Sequence, residues 1–148
     1  MIPRAETDRS SHFGLAEYRL EAVPAALAEL HARLAVGETI ELGLNQTWPP
    51  EDVARVIAGA GFTLEKATSI RVRRERTLPD FVGPKMRILV CGLNPSLVAA
   101  DAGFGFAGAT NRFWPAAVAA GLVSEPRQPL RILAKDGVGM TDLVKRAT

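Results

Sequence analysis

Residues 86–91 (MRILVC) are apolar apart from Arg87, and Gly92 stops the run abruptly. A run that does not alternate suits a strand buried on both faces of a parallel sheet, so it points to an α/β chain. In open α/β sheets ligands bind at the carboxyl ends of strands, which makes the region around Gly92 the place to look for chemistry. Residues 93–110 follow as a long connection rich in Gly and Ala. Residues 111–122 then read as a helix, with Phe113, Trp114 and Val118 available for packing and Gly121 near its end.

The first half alternates elements. Pro24 with Leu27, Leu30 and Leu34 has the three-and-four spacing of a helix face opened by a proline, and Gly37 ends it. Ile40, Leu42 and Leu44 alternate with Thr39, Glu41 and Gly43, the period of a strand with one buried face. Thr47 precedes Pro49 and Pro50, Glu51 and Asp52 occupy a first turn, and Val53, Val56, Ile57 and Ala60 line one side of a second helix before Gly61. Residues 62–76 turn extended and finish in a run of arginines, which reads as a solvated edge strand where charge discourages aggregation. Residues 78–84 (LPDFVGP) punctuate the chain as a boundary between two units, 1–78 and 79–148.

Composition narrows the class. With 47% hydrophobic and 23% charged residues, 148 residues make about one average domain and exclude a disordered or collagen-like chain. No apolar run approaches the roughly 18 residues of a membrane span, and residues 1–10 lack an apolar signal core. A soluble, cytoplasmic protein without a membrane partner is expected. The single cysteine, Cys91, excludes an internal disulfide and a multi-thiolate metal centre, and His12 and His31 lie far from it in sequence. Residues 1–80 hold 10 Lys/Arg against 12 Asp/Glu, whereas 81–148 hold 8 against 4. A basic second half points weakly to a polyanion, beside the ordinary role of charge in solubility.

Two signals compete after Gly92. Gly103, Gly105 and Gly108 have the spacing of a dinucleotide fingerprint, but they do not follow their strand directly and no acid stands about 20 residues on. The other signal is Gly92-Leu93-Asn94-Pro95-Ser96, then Gly103-Phe104-Gly105-Phe106-Ala107, then Asn111-Arg112-Phe113-Trp114. In order and spacing these segments resemble the mismatch-specific uracil/thymine-DNA glycosylases, a branch of the uracil-DNA glycosylase superfamily. The stretch from Gly139-Met140-Thr141-Asp142 to Thr148 resembles that family's next segment. Residues 1–76, read as helix, strand, helix and hairpin, resemble the closing elements of a class I methyltransferase, without its glycine-rich cofactor turn.

The resemblance implies a partial parallel-sheet, uracil-DNA-glycosylase-like unit preceded by a small α/β segment. It implies a base-excision-repair hydrolase acting on double-stranded DNA that holds uracil or a G:U or G:T mismatch. Such chemistry requires flipping the base, stabilising charge on it as it departs, and placing water beside C1′; no metal or cofactor is called for. By resemblance Asn94 holds the catalytic water, the backbone around Leu93 and Phe106 meets the base edge, and the Phe106 ring stacks on the base. Read from the residues alone, Asn94 could instead cap the following turn and Phe106 could be core. Asp142 could accept a hydrogen bond from uracil N3–H or cap a following helix. Ser96 stands where many relatives carry glycine and would narrow the pocket. Ser96, Arg112, Lys145 and Arg146 are the candidate DNA contacts. Residues 111–114 otherwise cap and pack their helix.

Family members continue past the point that corresponds to Thr148, and a unit of about seventy residues makes a marginal core. A fragment, or a need for further residues or another chain, is therefore expected. The rival expectations are an inactive nucleic-acid-binding or structural fragment and a methyltransferase-related protein.

Overall fold

The computed structural model describes residues 12–44, 48–66 and 70–148. The first sheet is built from β1 (His12–Gly14), β2 (Thr39–Gly43), β3 (Phe62–Lys66) and β4 (Arg71–Arg74), in the order β1-β2-β4-β3. Strand β1 runs parallel to β2, and the other pairs are antiparallel. Helices α1 (Val23–Arg33) and α2 (Pro50–Gly59) pack against it. Prolines open both helices, as the spacing predicts, and in α2 Pro49 is the N-cap with Glu51 and Asp52 in the first turn. Thr47 lies outside the described residues. Along β2, Ile40 and Leu42 face the core while Glu41 faces solvent.

The arginine-rich strand departs from expectation. Strand β4 is internal, between β2 and β3, and is not an edge. Its charges are tolerated there because Val72 alone turns fully into the core, while Arg71 and Arg73 pair with Glu65 on the outer face, and Arg73 also with Glu75.

The second sheet consists of β5 (Ile88–Gly92) and β6 (Val138–Asp142), parallel and in register from Ile88↔Val138 to Gly92↔Asp142. Between them run α3 (Leu97–Ala102), α4 (Phe113–Ala119) and α5 (Pro129–Asp136). The mixed α/β class expected from the sequence is therefore present. The covered strand, however, is β6 and not β5. Val138 and Met140 are buried, α5 packs on β6, and Phe81 exchanges both backbone hydrogen bonds with Met140 on its far side. Ile88 and Leu89 remain 41% and 46% exposed, because β5 has a neighbour on one side only.

Two helices escape the sequence reading. The short α3 sits inside the Gly- and Ala-rich connection, capped by Ser96, whose hydroxyl accepts from Ala99 N–H, and ended by Gly103 at φ +77°. Helix α5 begins at Pro129 and ends at Gly137 in the left-handed region.

Each sheet carries its own buried cluster, and α1 serves both. Leu27 and Leu30 enter the first, with Ile40, Ile57, Phe62 and Val72, whereas Ala28 enters the second, with Phe81, Trp114, Ile132 and Val138. On the same helix His31 is buried against the edge of Phe62, ring centroids 5.5 Å apart, and its Nε2 has no hydrogen-bond partner among the described residues. Burial, with Arg74 and Lys145 nearby, pulls its pKa down to about 4.

The unfolded chain therefore takes up a proton at His31 before the folded one does, and stability should fall as pH drops from about 6.5 towards 4. The loss between pH 7 and 5 should be roughly 2 kcal/mol, following the linkage relation. Thermal or denaturant unfolding of His31→Phe should show a shallower acid dependence over that window than the parent; an identical dependence would remove His31 as its source.

Candidate active site

The carboxyl ends of β5 and β6 open into a cavity of about 270 Å³. Gly92 and Asp142 sit opposite each other at those ends. A Cβ on residue 92 would lie 2.3 Å from Asp142 Oδ1, so a larger residue here would displace the Asp142 carboxylate from its place beside the cavity. The chain after Asp142 folds back over the segment after Gly92: Leu143 N–H donates to Gly92 O, Val144 N–H to Leu93 O, and Thr148 N–H to Pro95 O.

Asn94 lies on this rim, and its Nδ2 donates to Thr148 Oγ1 at 2.6 Å and to Pro95 O at 3.3 Å. Those bonds fix the amide plane, while Oδ1 has no hydrogen-bond partner among the described residues. The turn-capping alternative belongs to Ser96, which caps α3. Leu93 is 71% exposed at the cavity mouth.

The aromatic loop forms the opposite wall. Phe106 adopts φ +58°, a left-handed conformation unusual for a large residue, and its ring stacks on Phe113 with centroids 4.2 Å apart and planes 24° apart. Trp114, fully buried, anchors the loop by donating from Nε1 to Gly105 O at 2.9 Å. Asn111 Oδ1 accepts from Phe113 N–H and so serves the start of α4, as its place before the helix suggested. Phe104 turns away from the cavity towards Trp114 and Arg127.

Asp142 lines the cavity at the end of β6, and residues 143–148 are not helical, so it does not cap a helix that starts directly after it. Its pKa is raised, chiefly by burial and further by Asp80, against the opposing pull of Lys145. Lys145 itself is engaged: its ammonium pairs with Asp80 Oδ1, which also accepts from Thr141 Oγ1, while Thr77 Oγ1 donates to Lys145 O.

Asn94, Leu93, Ser96, Phe106 and Asp142 thus share one cavity. Arg112, Lys145 and Arg146 lie outside its lining; Arg112 and Arg146 are exposed, and Lys145 is held by Asp80. Residues 78–84, read from their prolines and glycine as a boundary, also wall the cavity through Leu78, Pro79 and Phe81. Asp80 escaped the sequence reading, since nothing in its surroundings announces partners 61 and 65 positions away.

Fold and site together define an α/β unit with a small cavity at parallel strand ends, lined by a carboxamide, a carboxylate and an aromatic ring. Residues 79–148 match the family model of the uracil DNA glycosylase superfamily, just under half of the chain. The match runs from the Pro79 wall through both strands of the second sheet, and supports a DNA glycosylase, a hydrolase of N-glycosyl bonds, for this unit.

Asp80→Ala should destabilise the protein by about 1–2 kcal/mol, less than a fully buried pair because both partners are about a quarter exposed. It should also lower the Asp142 pKa, because it removes a negative neighbour and frees Lys145. Carboxyl-carbon NMR titration reads the shift directly; an upward movement would refute this electrostatic assignment.

Proposed function

We propose that residues 79–148 form the base pocket of a DNA glycosylase that removes uracil, or thymine opposite guanine, from double-stranded DNA, as the mismatch-specific branch of the family would. The observation that carries this is the Asn94 amide, pinned through its nitrogen on the rim of a cavity shared with Phe106 and Asp142. At about 270 Å³ the cavity lies just below the roughly 300–1,000 Å³ range of ligand pockets, a size for one base. Residues 1–78 are read as a separate small α/β segment, with α1 bracing the glycosylase-like unit.

In this mechanism the flipped base lies along Phe106, whose other support is Phe113. Asp142, ionised, accepts the N3–H of uracil. A water donates one hydrogen to Asn94 Oδ1 and keeps a lone pair for C1′. As the C1′–N bond breaks, its electron pair goes to the base, where backbone N–H groups around Leu93 and Phe106 stabilise it. The water oxygen bonds to C1′ and its proton passes to solvent. Arg112 and Arg146 hold phosphates, while Lys145 is reserved for Asp80.

Asn94→Ala should leave duplex binding largely intact and slow single-turnover base release by about a hundredfold or more. Parent-like cleavage would return residues 92–96 to an ordinary turn. Asn94→Asp should retain water but repel the departing anion, and so should also be slow. Phe106→Ala should weaken the flipped-base complex by roughly 1–3 kcal/mol, the scale of base–aromatic stacking. Because Asn94 does not titrate, base release should be flat across neutral pH. It should fall on the acid side as Asp142 protonates, at a pH raised from that of an ordinary aspartate. Asp142→Asn should abolish that acid limb; its persistence would assign the limb elsewhere.

A further inference from the structure

On the other side of the Pro79–Phe81 wall lies a second open cavity, of about 420 Å³, between the two sheets. Its charge is unusual for what is missing around it. Within the arginine run of residues 71–76, Arg71 and Arg73 pair with Glu65, and Arg76 holds Asp101 through two bonds of 2.7 and 2.6 Å. Arg74, which faces the cavity, has no carboxylate within ion-pair distance among the described residues, although it is partly withdrawn from water. Its Nε donates to His31 O at 3.0 Å, which positions the guanidinium without neutralising it. Asp101, also on the cavity wall, is the carboxylate that acts on Arg74 electrostatically, and both its oxygens are committed to Arg76.

A second arginine lines the same cavity. Arg127 lies over the Phe104 ring, 5.9 Å from its centroid, and likewise has no ion-pair partner among the described residues. It immediately precedes the start of α5, where Gln128 makes no side-chain cap. The first-turn N–H groups of Leu130 and Arg131 have no acceptor among the described residues. Arg74 is the charge partly removed from water without a carboxylate of its own, whereas Arg127 is exposed; planar guanidiniums together with free helix N–H groups are the donors that phosphate oxygens fit.

We propose that this second cavity is a phosphate-binding site, formed by Arg74, Arg127 and the open N-terminus of α5. It is separate from the cavity that holds Asn94. The phosphate comes either from a DNA strand or from a free phosphate ion, and both offer the same oxygens to the same donors.

Calorimetric titration with inorganic phosphate, at constant ionic strength and against a chloride control, tests the site. Saturable phosphate binding is expected, with Kd raised tenfold or more in Arg74→Gln and in Arg127→Gln. Arg127 is exposed, so Arg127→Gln decides the matter if Arg74→Gln fails to fold. The salt dependence of undamaged-duplex binding separates the sources: each variant should lower the slope by about one if the ligand is a DNA phosphate, and leave it unchanged if it is a free ion. Phosphate affinity identical in parent and both variants overturns the proposal. So does an absence of phosphate binding together with an unchanged duplex slope. Base release dependent on Asn94, measured on the same proteins, reports on the glycosylase reading independently.

Discussion

The parallel register of β5 on β6 is the constraint from which the site follows. Pairing Gly92 with Asp142 sets two strand ends side by side, with the Asp142 carboxylate folded over the Cα of Gly92. Every later contact is laid out from that pair: the return of residues 143–148 over residues 92–97, the bond from Asn94 to Thr148, and the partial burial of the Asp142 carboxyl. The far side of β6 is closed by Phe81, so the cavity inherits a wall from residues that precede both strands. A one-residue slip would turn Met140 out of the core and Thr141 away from Asp80.

The two halves of the chain are joined by polar as well as apolar contacts. Asp80 N–H donates to Gly59 O at the end of α2, while its carboxylate gathers Thr141 and Lys145 beneath the cavity. Thr77 and Arg76 reach across in the same way, to Lys145 and Asp101. Helix α1 is buried on two sides, which explains why a histidine on it is kept neutral. Loss of the first sheet would therefore disturb the floor of the cavity through identifiable bonds and not merely through lost mass.

The site combines groups with different freedom to ionise. Asn94 is neutral at every relevant pH, and the water-holding role proposed for it depends on being held in one orientation. Asp142 is titratable, and its surroundings pull in opposite directions: burial and Asp80 favour the neutral form, Lys145 the charged one. The aromatic side is held by a strained backbone at Phe106, kept in place by the Phe113 stack and the Trp114 anchor. Preorganisation of this kind is what the proposed glycosylase would need to cleave a difficult bond in a small cavity without a strong acid or base.

Local signals determined much of this protein from the sequence alone. Proline starts, glycine stops and apolar spacing placed α1, β2 and α2, and the resemblance carried by the segments after Gly92, not local spacing, singled out Asn94, Phe106 and Asp142, which share one cavity in the fold. What stayed hidden depended on partners far along the chain. The apolar run of residues 86–91 marked a strand but not which strand would be covered, because burial is decided by neighbours and β6 took the inner position. The arginine run read as an edge until β2 and β3 enclosed it, and only its pairings distinguished Arg74 from the rest. Asp80 met Thr141 and Lys145, and Lys145 ceased to be a free cation, only when the tertiary structure closed, since charge pairing depends on distance in space, and sequence records only distance along the chain.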